Sequence, residues 1–458
     1  MPDKQLFGTD GIRGVAGEYP LDMRTVYLAG RALGLGLRKE APSGESVRVL
    51  LGEDTRESSR WIAETFAGGL ADEGVDAHSA GVIPTPGVAY LARTDRCNAG
   101  VMISASHNAY QDNGIKVFAH SGYKLPDELE HKVEQTLFEL AEKLPPGTEG
   151  RIPLQPEAKL RQRYLDFLAG LLPKEDSFAG LKIVMDCANG AASAMAPELF
   201  RRLGADVVAL SAEPDGRNIN LRCGSLHMEN LQAHVIQEKA HLGVAFDGDA
   251  DRALFVTAEG ALVNGDGVML MAARHLKTHG RLGGTLVIGT IMSNLGLELA
   301  LAGEGLKLAR TPVGDKYVLE EMLRSGATLG GEQSGHVIFR DDHTTGDGLL
   351  TALRVTQIVA ETGRSLADLV AGMTACPQVI RNLKVSSKPP LDTLPGVTQA
   401  IQKSQQDLGT RGRVIVRYSG TENLVRIMVE AENAADVDRH VAAIASAFEK
   451  DSGMAAGR

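Results

Sequence analysis

The chain has 458 residues, 43% hydrophobic and 23% charged, a globular composition with apolar material for roughly three domains, two to four being plausible. A net charge of −10 with no Lys/Arg cluster argues against nucleic acid or an anionic membrane as partner, and 4% aromatics with one Trp argues against a base-stacking surface. Cysteines at 97, 187, 223 and 376 form no C-x-x-C pair, the first residues lack a signal-peptide pattern, and no apolar run approaches the ~20 residues of a membrane span, so a soluble cytoplasmic protein with reduced thiols is expected.

In chain order, GTDGIRG (8–14) is a glycine-rich turn whose Arg13 can reach an anion. It does not match G-x-x-x-x-G-K-[ST], and no G-x-G-x-x-G follows a first strand, so neither ATP nor NAD is implied. The strand VRVLLG (47–52) precedes the helical RWIAETFAGGLADEG, and AGVMIS (99–104) follows LARTDRCN. A Pro- and Gly-rich stretch, EKLPPGTEGRIPLQPE (142–157), marks a boundary, after which LRQRYLDFL reads as helix. LKIVMD (181–186) precedes APELFRRLGA, LGVAFD (242–247) follows a polar helix, and a weaker break is placed near Arg252. TLVIGT (285–290) and KLARTP (307–312) repeat the pattern up to a third break at Met373–Pro377. Beyond it, RVIVRY and LVRIMVE flank SGTEN, and AADVDRHVAAIASAFEK closes the chain as a polar helix. The alternation predicts an α/β protein with mainly parallel mixed sheets: α/β domains at 1–150, 151–253 and 254–372, and an α+β domain at 373–458.

Ligands collect at the carboxyl ends of strands in such sheets. Three ends here carry unusual polar motifs. In GVMISASHNAYQDNGIKVF (100–118), Ser106 precedes His107. Adjacent residues on an extended chain point apart, so His107 is poorly placed to deprotonate Ser106, and there is no G-x-S-x-G elbow. Beside a metal, Ser106 could instead carry a phosphoryl group as donor and acceptor. Lys116 is a candidate acid/base if its pKa is lowered. A plain polar loop with an exposed lysine is the bland alternative.

DGDADR (247–252) is the most specific motif. On an extended segment Asp247, Asp249 and Asp251 point to one side. Carboxylates ~5 Å apart repel by roughly 3 kcal/mol at an effective dielectric near 20. A hard cation, Mg²⁺ before Zn²⁺, would relieve this. A calcium loop would need Gly and Glu where Arg252 and Ala258 stand; a solvated acidic turn is the remaining alternative. GEQSGH (331–336) pairs Glu332 with Ser334, which suits sugar hydroxyls, and His336 reads as a structural hydrogen-bonder. RYSGTEN (417–423) offers Arg417, the Ser419 and Thr421 hydroxyls and the Gly420 N–H, either a phosphate cradle or a polar hairpin tip.

With these motifs in this order the chain resembles, over essentially its full length, the α-D-phosphohexomutase family, and most of all its bacterial glucosamine-phosphate branch. The resemblance implies a four-domain fold whose first three α/β domains are related. It implies that Ser106 is the phosphorylated residue, and that Asp247, Asp249 and Asp251 bind one Mg²⁺ with the Ser106 phosphate. Arg13, His107 and Lys116 would surround the transferring group. Glu332 and Ser334 would contact the sugar, and Arg417, Ser419, Gly420 and Thr421 the phosphate that is not reacting. The implied reaction interconverts glucosamine 6-phosphate and glucosamine 1-phosphate through glucosamine 1,6-bisphosphate, which supplies UDP-N-acetylglucosamine for cell-wall synthesis. A homodimer and a hinging C-terminal domain are further implications. Ala109 and Asn423 stand where the family often has proline, which bears on loop rigidity. Glutamine at 333 is similar to the glucosamine branch. The rivals are a phosphomannomutase/phosphoglucomutase, a metal-dependent sugar phosphatase and a non-catalytic sugar-phosphate sensor.

Overall fold

The computed structural model describes residues 6–8, 10–174, 176–419 and 423–451. It divides into two units, one of residues up to Met292 with Leu306–Ala371, the other of Ser293–Gly305 with the residues from Gly372 onward.

The first unit contains three sheets. The first takes β1 (Phe7–Gly8), β2 (Gly11–Val15), β3 (Val47–Glu53), β4 (Val75–Val82), β5 (Ala99–Ile103) and β6 (Asp112–Ala119) in the order β1-β2-β6-β5-β3-β4. The second takes β7 (Lys182–Asp186), β8 (Asp206–Leu210), β9 (Leu242–Phe246), β10 (Ala253–Thr257) and β11 (Leu262–Val263) in the order β11-β10-β9-β7-β8. The third takes β12 (Leu286–Thr290), β13 (Lys307–Thr311), β14 (Leu329–Gly331) and β15 (Val337–Phe339) in the order β13-β12-β14-β15.

Each sheet has a parallel part and an antiparallel return. β3 is parallel to β4 and β5, β7 to β8 and β9, and β12 to β13 and β14. A parallel neighbour needs a crossover of a dozen residues or more. The links 104–111, 247–252 and 332–336 are too short for one, so β5 returns as β6, β9 as β10 and β14 as β15, all antiparallel. The three polar motifs therefore occupy the same topological position in three sheets. The break expected near Arg252 falls inside the β9–β10 hairpin, and pairing carries the second sheet on to Val263.

The crossovers are helical. α1 (Met23–Glu40), α2 (Ser59–Asp72), α3 (Thr85–Thr94) and α4 (Asp127–Lys143) accompany the first sheet; α5 (Ala158–Gly170) packs on α3, on β4 of that sheet and on α6 (Ala192–Arg202), which with α7 (Glu229–Gln237) accompanies the second. Asp22 caps α1, its carboxylate accepting from Thr25 N at 3.0 Å, while Arg38 and Lys39 complement the last turn. Val26 and Leu33 of α1, Phe66 of α2 and Val47, Val49 and Leu51 of β3 share one buried core. Each such side chain contributes about 1.5–3 kcal/mol when fully buried.

α8 (Gly265–Thr278), α10 (Asp315–Ser325), α11 (Gly348–Thr362) and the short α12 (Leu366–Leu369) complete the first unit, and α9 (Leu295–Gly303) belongs to the second. There, β16 (Gln378–Lys384), β17 (Gly412–Tyr418) and β18 (Leu424–Ala431) form an antiparallel sheet, β16-β18-β17, with α13 (Pro395–Leu408) and α14 (Ala434–Asp451). Val397, Ile427, Val429, Ile444 and Phe448 share its core. Buried Glu430 accepts from Leu295 N at 2.9 Å and pairs with Arg413, which ties α9 to this sheet. All four cysteines are buried and free. Among the described residues no helix is long and apolar enough to cross a membrane.

Candidate active site

The β5–β6 link is a tight turn that buries Ser106 with φ at 52°. This left-handed conformation costs a non-glycine residue on the order of 1 kcal/mol or more. Hydrogen bonds on both sides hold it. Ser106 N donates to Ser104 Oγ at 2.9 Å, and Ser104 Oγ donates to Asp54 at 2.6 Å. Ser106 O accepts from Arg56 Nη2 at 3.0 Å and Asn220 Nδ2 at 2.9 Å. The Arg56 guanidinium, wholly buried and paired with Asp54 at 2.8 Å, also donates to the carbonyls of Asn108, Ala109 and Asp112. A planar fork of five N–H donors suits this task, and a lysine would not.

The turn corrects one expectation. The segment is not extended, so Ser106 Oγ and His107 Nδ1 converge to 3.3 Å. A shorter contact claims the hydroxyl proton: Ser106 Oγ lies 2.6 Å from Asp247 Oδ2. His107 Nδ1 also faces Arg252 Nη1 at 3.2 Å, and burial with the Arg252 and Arg13 charges pushes the ring below its ordinary pKa.

The β9–β10 link is also a turn rather than the extended segment expected. Ala250 N donates to Asp247 O at 3.1 Å, and Ala250 has φ at 54°. The turn brings one oxygen from each of Asp247, Asp249 and Asp251 within 4.8 Å of the others, all three side chains being buried. Gly248 lets the two loops meet: a Cβ there would lie 2.5 Å from Ser106 O. Asp249 Oδ2 accepts from Thr85 Oγ1 at 2.5 Å and Lys116 Nζ at 2.8 Å. The other Asp249 oxygen and Asp251 Oδ1 are buried with no hydrogen-bond partner. Burial and the Asp251 and Asp249 charges push the Asp247 carboxyl well above its ordinary range. Burial acts the same way on Asp251, but Lys116, His336 and Arg252 outweigh it and hold that carboxyl low. Converging carboxylates with unsatisfied buried oxygens fit a hard cation held by oxygen ligands.

Lys116 departs from its expected state. Burial opposes its charge, yet Asp10 at 3.3 Å, Asp249 at 2.8 Å and Asp251 at 3.7 Å outweigh burial and raise its pKa. It is a fixed ammonium here, not a free base. Arg13 Nη1 approaches Ala105 O at 3.4 Å, and its guanidinium pairs with Asp10. Asp10 also pairs with Lys124 at 2.6 Å, and Lys124 with Asp315.

In the third turn Glu332 Oε1 accepts from Gly314 N at 3.0 Å, and Ser334 is exposed. Ala253 N donates to Gly335 O at 3.1 Å, joining this loop to the aspartate loop. His336 Nε2 lies 3.2 Å from Gly346 N and Nδ1 lies 3.6 Å from Asp251; burial opposes the ring's charge, but Asp251, Asp315 and Glu332 outweigh it and push its pKa up to about 9. One unit thus brings together Arg13, Ser106, His107, Lys116, the three aspartates, Glu332 and Ser334. Arg417 and Ser419 belong to the other unit. Arg417 is exposed on β17, and Ser419 O accepts from Lys388 Nζ at 2.7 Å. Gly420 and Thr421 lie outside the described residues. No motif singles out Arg56, Asp54, Thr85, Asn220 or Asp10, although EDTRESS (53–59) does carry a signal, because it too is a polar cluster at a strand end.

The chain matches the phosphoglucomutase/phosphomannomutase alpha/beta/alpha domains I, II and III at residues 4–144, 162–260 and 264–376, and the C-terminal domain at 381–447. It is 53% identical over 450 residues to the phosphoglucosamine mutase of Solibacter usitatus, covering 98% of this chain and 99% of the relative. It is 52% identical over 459 residues to that of Koribacter versatilis, covering 99% and 98%. Its fold is similar to the crystal structure of a phosphoglucomutase/phosphomannomutase family protein from Burkholderia thailandensis, with TM-score 0.77, 24% identity and 98% of each chain covered.

Proposed function

Because the chain belongs to the phosphoglucomutase/phosphomannomutase family, we propose that it interconverts glucosamine 6-phosphate and glucosamine 1-phosphate, with Ser106 lending and reclaiming the phosphoryl group. The observation that carries this reading is the 2.6 Å contact of Ser106 Oγ with an aspartate of the buried three-carboxylate cluster. The relatives' names and Gln333 support the amino sugar over glucose or mannose.

Asp247, Asp249 and Asp251, with an oxygen of the Ser106 group, would hold Mg²⁺, which draws charge from phosphoryl oxygens when bound. The protein's own groups do the rest. O1 of glucosamine 6-phosphate attacks the Ser106 phosphate: the P–O1 bond forms, the P–Oγ bond breaks, the O1 proton leaves to a protein acceptor, and the departing Oγ takes up a proton. The bisphosphate turns end for end. Ser106 Oγ then loses its proton and attacks the 6-phosphate, and O6 leaves and is protonated. Of the groups within reach of Oγ, His107 Nδ1 at 3.3 Å lies outside the metal-ligand set and is the one free to move its proton. Lys116 and Arg13, held charged or paired by acidic neighbours, donate to phosphoryl oxygens. Glu332 and Ser334 accept from and donate to sugar hydroxyls, and the Arg417–Thr421 loop holds the idle phosphate. We also propose a cytoplasmic homodimer of four domains, with the second domain continued to Val263.

A panel of glucosamine, glucose and mannose phosphates tests the substrate: glucosamine phosphate should turn over fastest, and faster glucose phosphate turnover would refute the choice. Chelation should abolish turnover and Mg²⁺ restore it; activity persisting in chelator would contradict the metal assignment. Arg417→Ala should raise KM by about tenfold to a hundredfold, the scale of a charge-assisted hydrogen bond, without lowering stability, because the side chain is exposed. An unchanged KM would favour a phosphatase, which needs no second phosphate site.

A further inference from the structure

Away from the aspartate cluster, a second group of side chains has ligand geometry. His275, in the last turn of α8, and His279, just past it, are four residues apart and so share a face, with ring centroids 4.2 Å apart. Glu361 comes from the last turn of α11, and its Oε2 lies 3.6 Å from His275 Nε2. One donor atom from each of the three lies within 4.8 Å of the others. Donors about 2.1 Å from a shared tetrahedral ion are about 3.4 Å apart, so a small rotation of the exposed Glu361 side chain closes the set.

The free lone pairs point the same way. His279 Nδ1 is 2.8 Å from His275 O, and a carbonyl only accepts, so that nitrogen carries the proton and Nε2 is left as donor to a metal. Gln357 Nε2 occupies one Glu361 oxygen at 2.7 Å and leaves Oε2 for a ligand. Two helices end at the cluster, and helix C-termini carry partial negative charge. Arg281 and Arg354 also face it, but Asp342 pairs with both.

We propose that His275, His279 and Glu361 form a second cation site, selective for a zinc-type transition dication over Mg²⁺. Two imidazoles and one carboxylate suit borderline ions, whereas the aspartate cluster offers oxygen alone. Bound metal would join the C-terminal ends of α8 and α11. The opposite ends of these helices support the catalytic loops: Gly265 N donates to Gln333 O, and Gly348 N to Ala250 O, each at 3.0 Å.

The test is zinc titration of chelator-stripped full-length protein against a chromophoric competitor, in excess Mg²⁺. Wild type should take up a zinc equivalent that survives Asp249→Asn, and Co²⁺ in its place should show the visible bands of an imidazole-ligated ion. His275→Gln/His279→Gln should lose that equivalent, and Glu361→Gln, a conservative change at an exposed position, should weaken it at least tenfold. Retention of full affinity in both variants, or a wild-type equivalent that vanishes in Asp249→Asn, would overturn the proposal.

Discussion

Ser106→Ala is expected to lower kcat by about 10⁴-fold or more, a loss of about 5.4 kcal/mol of transition-state stabilisation, with sugar-phosphate affinity nearly unchanged. The reason is covalent: alanine has no oxygen to receive the group, and water cannot return it to the sugar. The backbone should keep its place, because the contacts that hold the turn run to Ser106 N and O, not to its side chain. Turnover and calorimetric binding of glucosamine 6-phosphate should be measured together. Loss of binding with loss of activity would point to a collapsed loop; retained turnover would remove Ser106 from the chemistry.

Arg56→Ala is expected to cost about 3–5 kcal/mol of stability, the scale for breaking a buried ion pair and leaving one charge behind. Asp54 would be left without its cation, and the carbonyls of Ser106, Asn108, Ala109 and Asp112 would lose their shared donor. Arg56→Lys is the sharper probe, because it keeps the charge near Asp54 but cannot reach four carbonyls in the plane of a guanidinium. It should fold, keep KM within about twofold, and lose about tenfold or more in kcat, since misplacing a reacting group by about 1 Å is enough for such a loss. Urea denaturation and steady-state kinetics check both variants. Wild-type kcat in Arg56→Lys would show that the fork does not position the loop.

Distance along the chain decides which parts of the site are legible in the sequence. Ser106, the three aspartates, Glu332 and Arg13 were legible because each lies in a short motif at the end of a strand, where α/β sheets present polar groups. The Arg56 fork was not, because it acts through space on carbonyls some fifty residues away, and carbonyls leave no mark on a sequence. Asn220 reaches the same loop across a separation of 114 residues. The turns at Ser106 and Ala250 leave little mark on the sequence, because neither is glycine, the residue that announces positive φ. The break near Arg252 follows only from where one α/β unit reads as ending, and it falls inside a hairpin whose second strand pairs with its first. The state of Lys116 is not legible either, because it is set by Asp10, over a hundred positions earlier, and by two of the aspartates.

The most direct test of the phosphoryl-transfer reading is phosphopeptide mapping of the full-length protein after incubation with Mg²⁺ and glucosamine 1,6-bisphosphate. One phosphate on Ser106, absent from Ser106→Ala and lost when glucosamine 6-phosphate is added in excess, is the predicted result. Phosphate on Ser104 or His107 instead, or steady turnover by a protein that never carries phosphate, would contradict it.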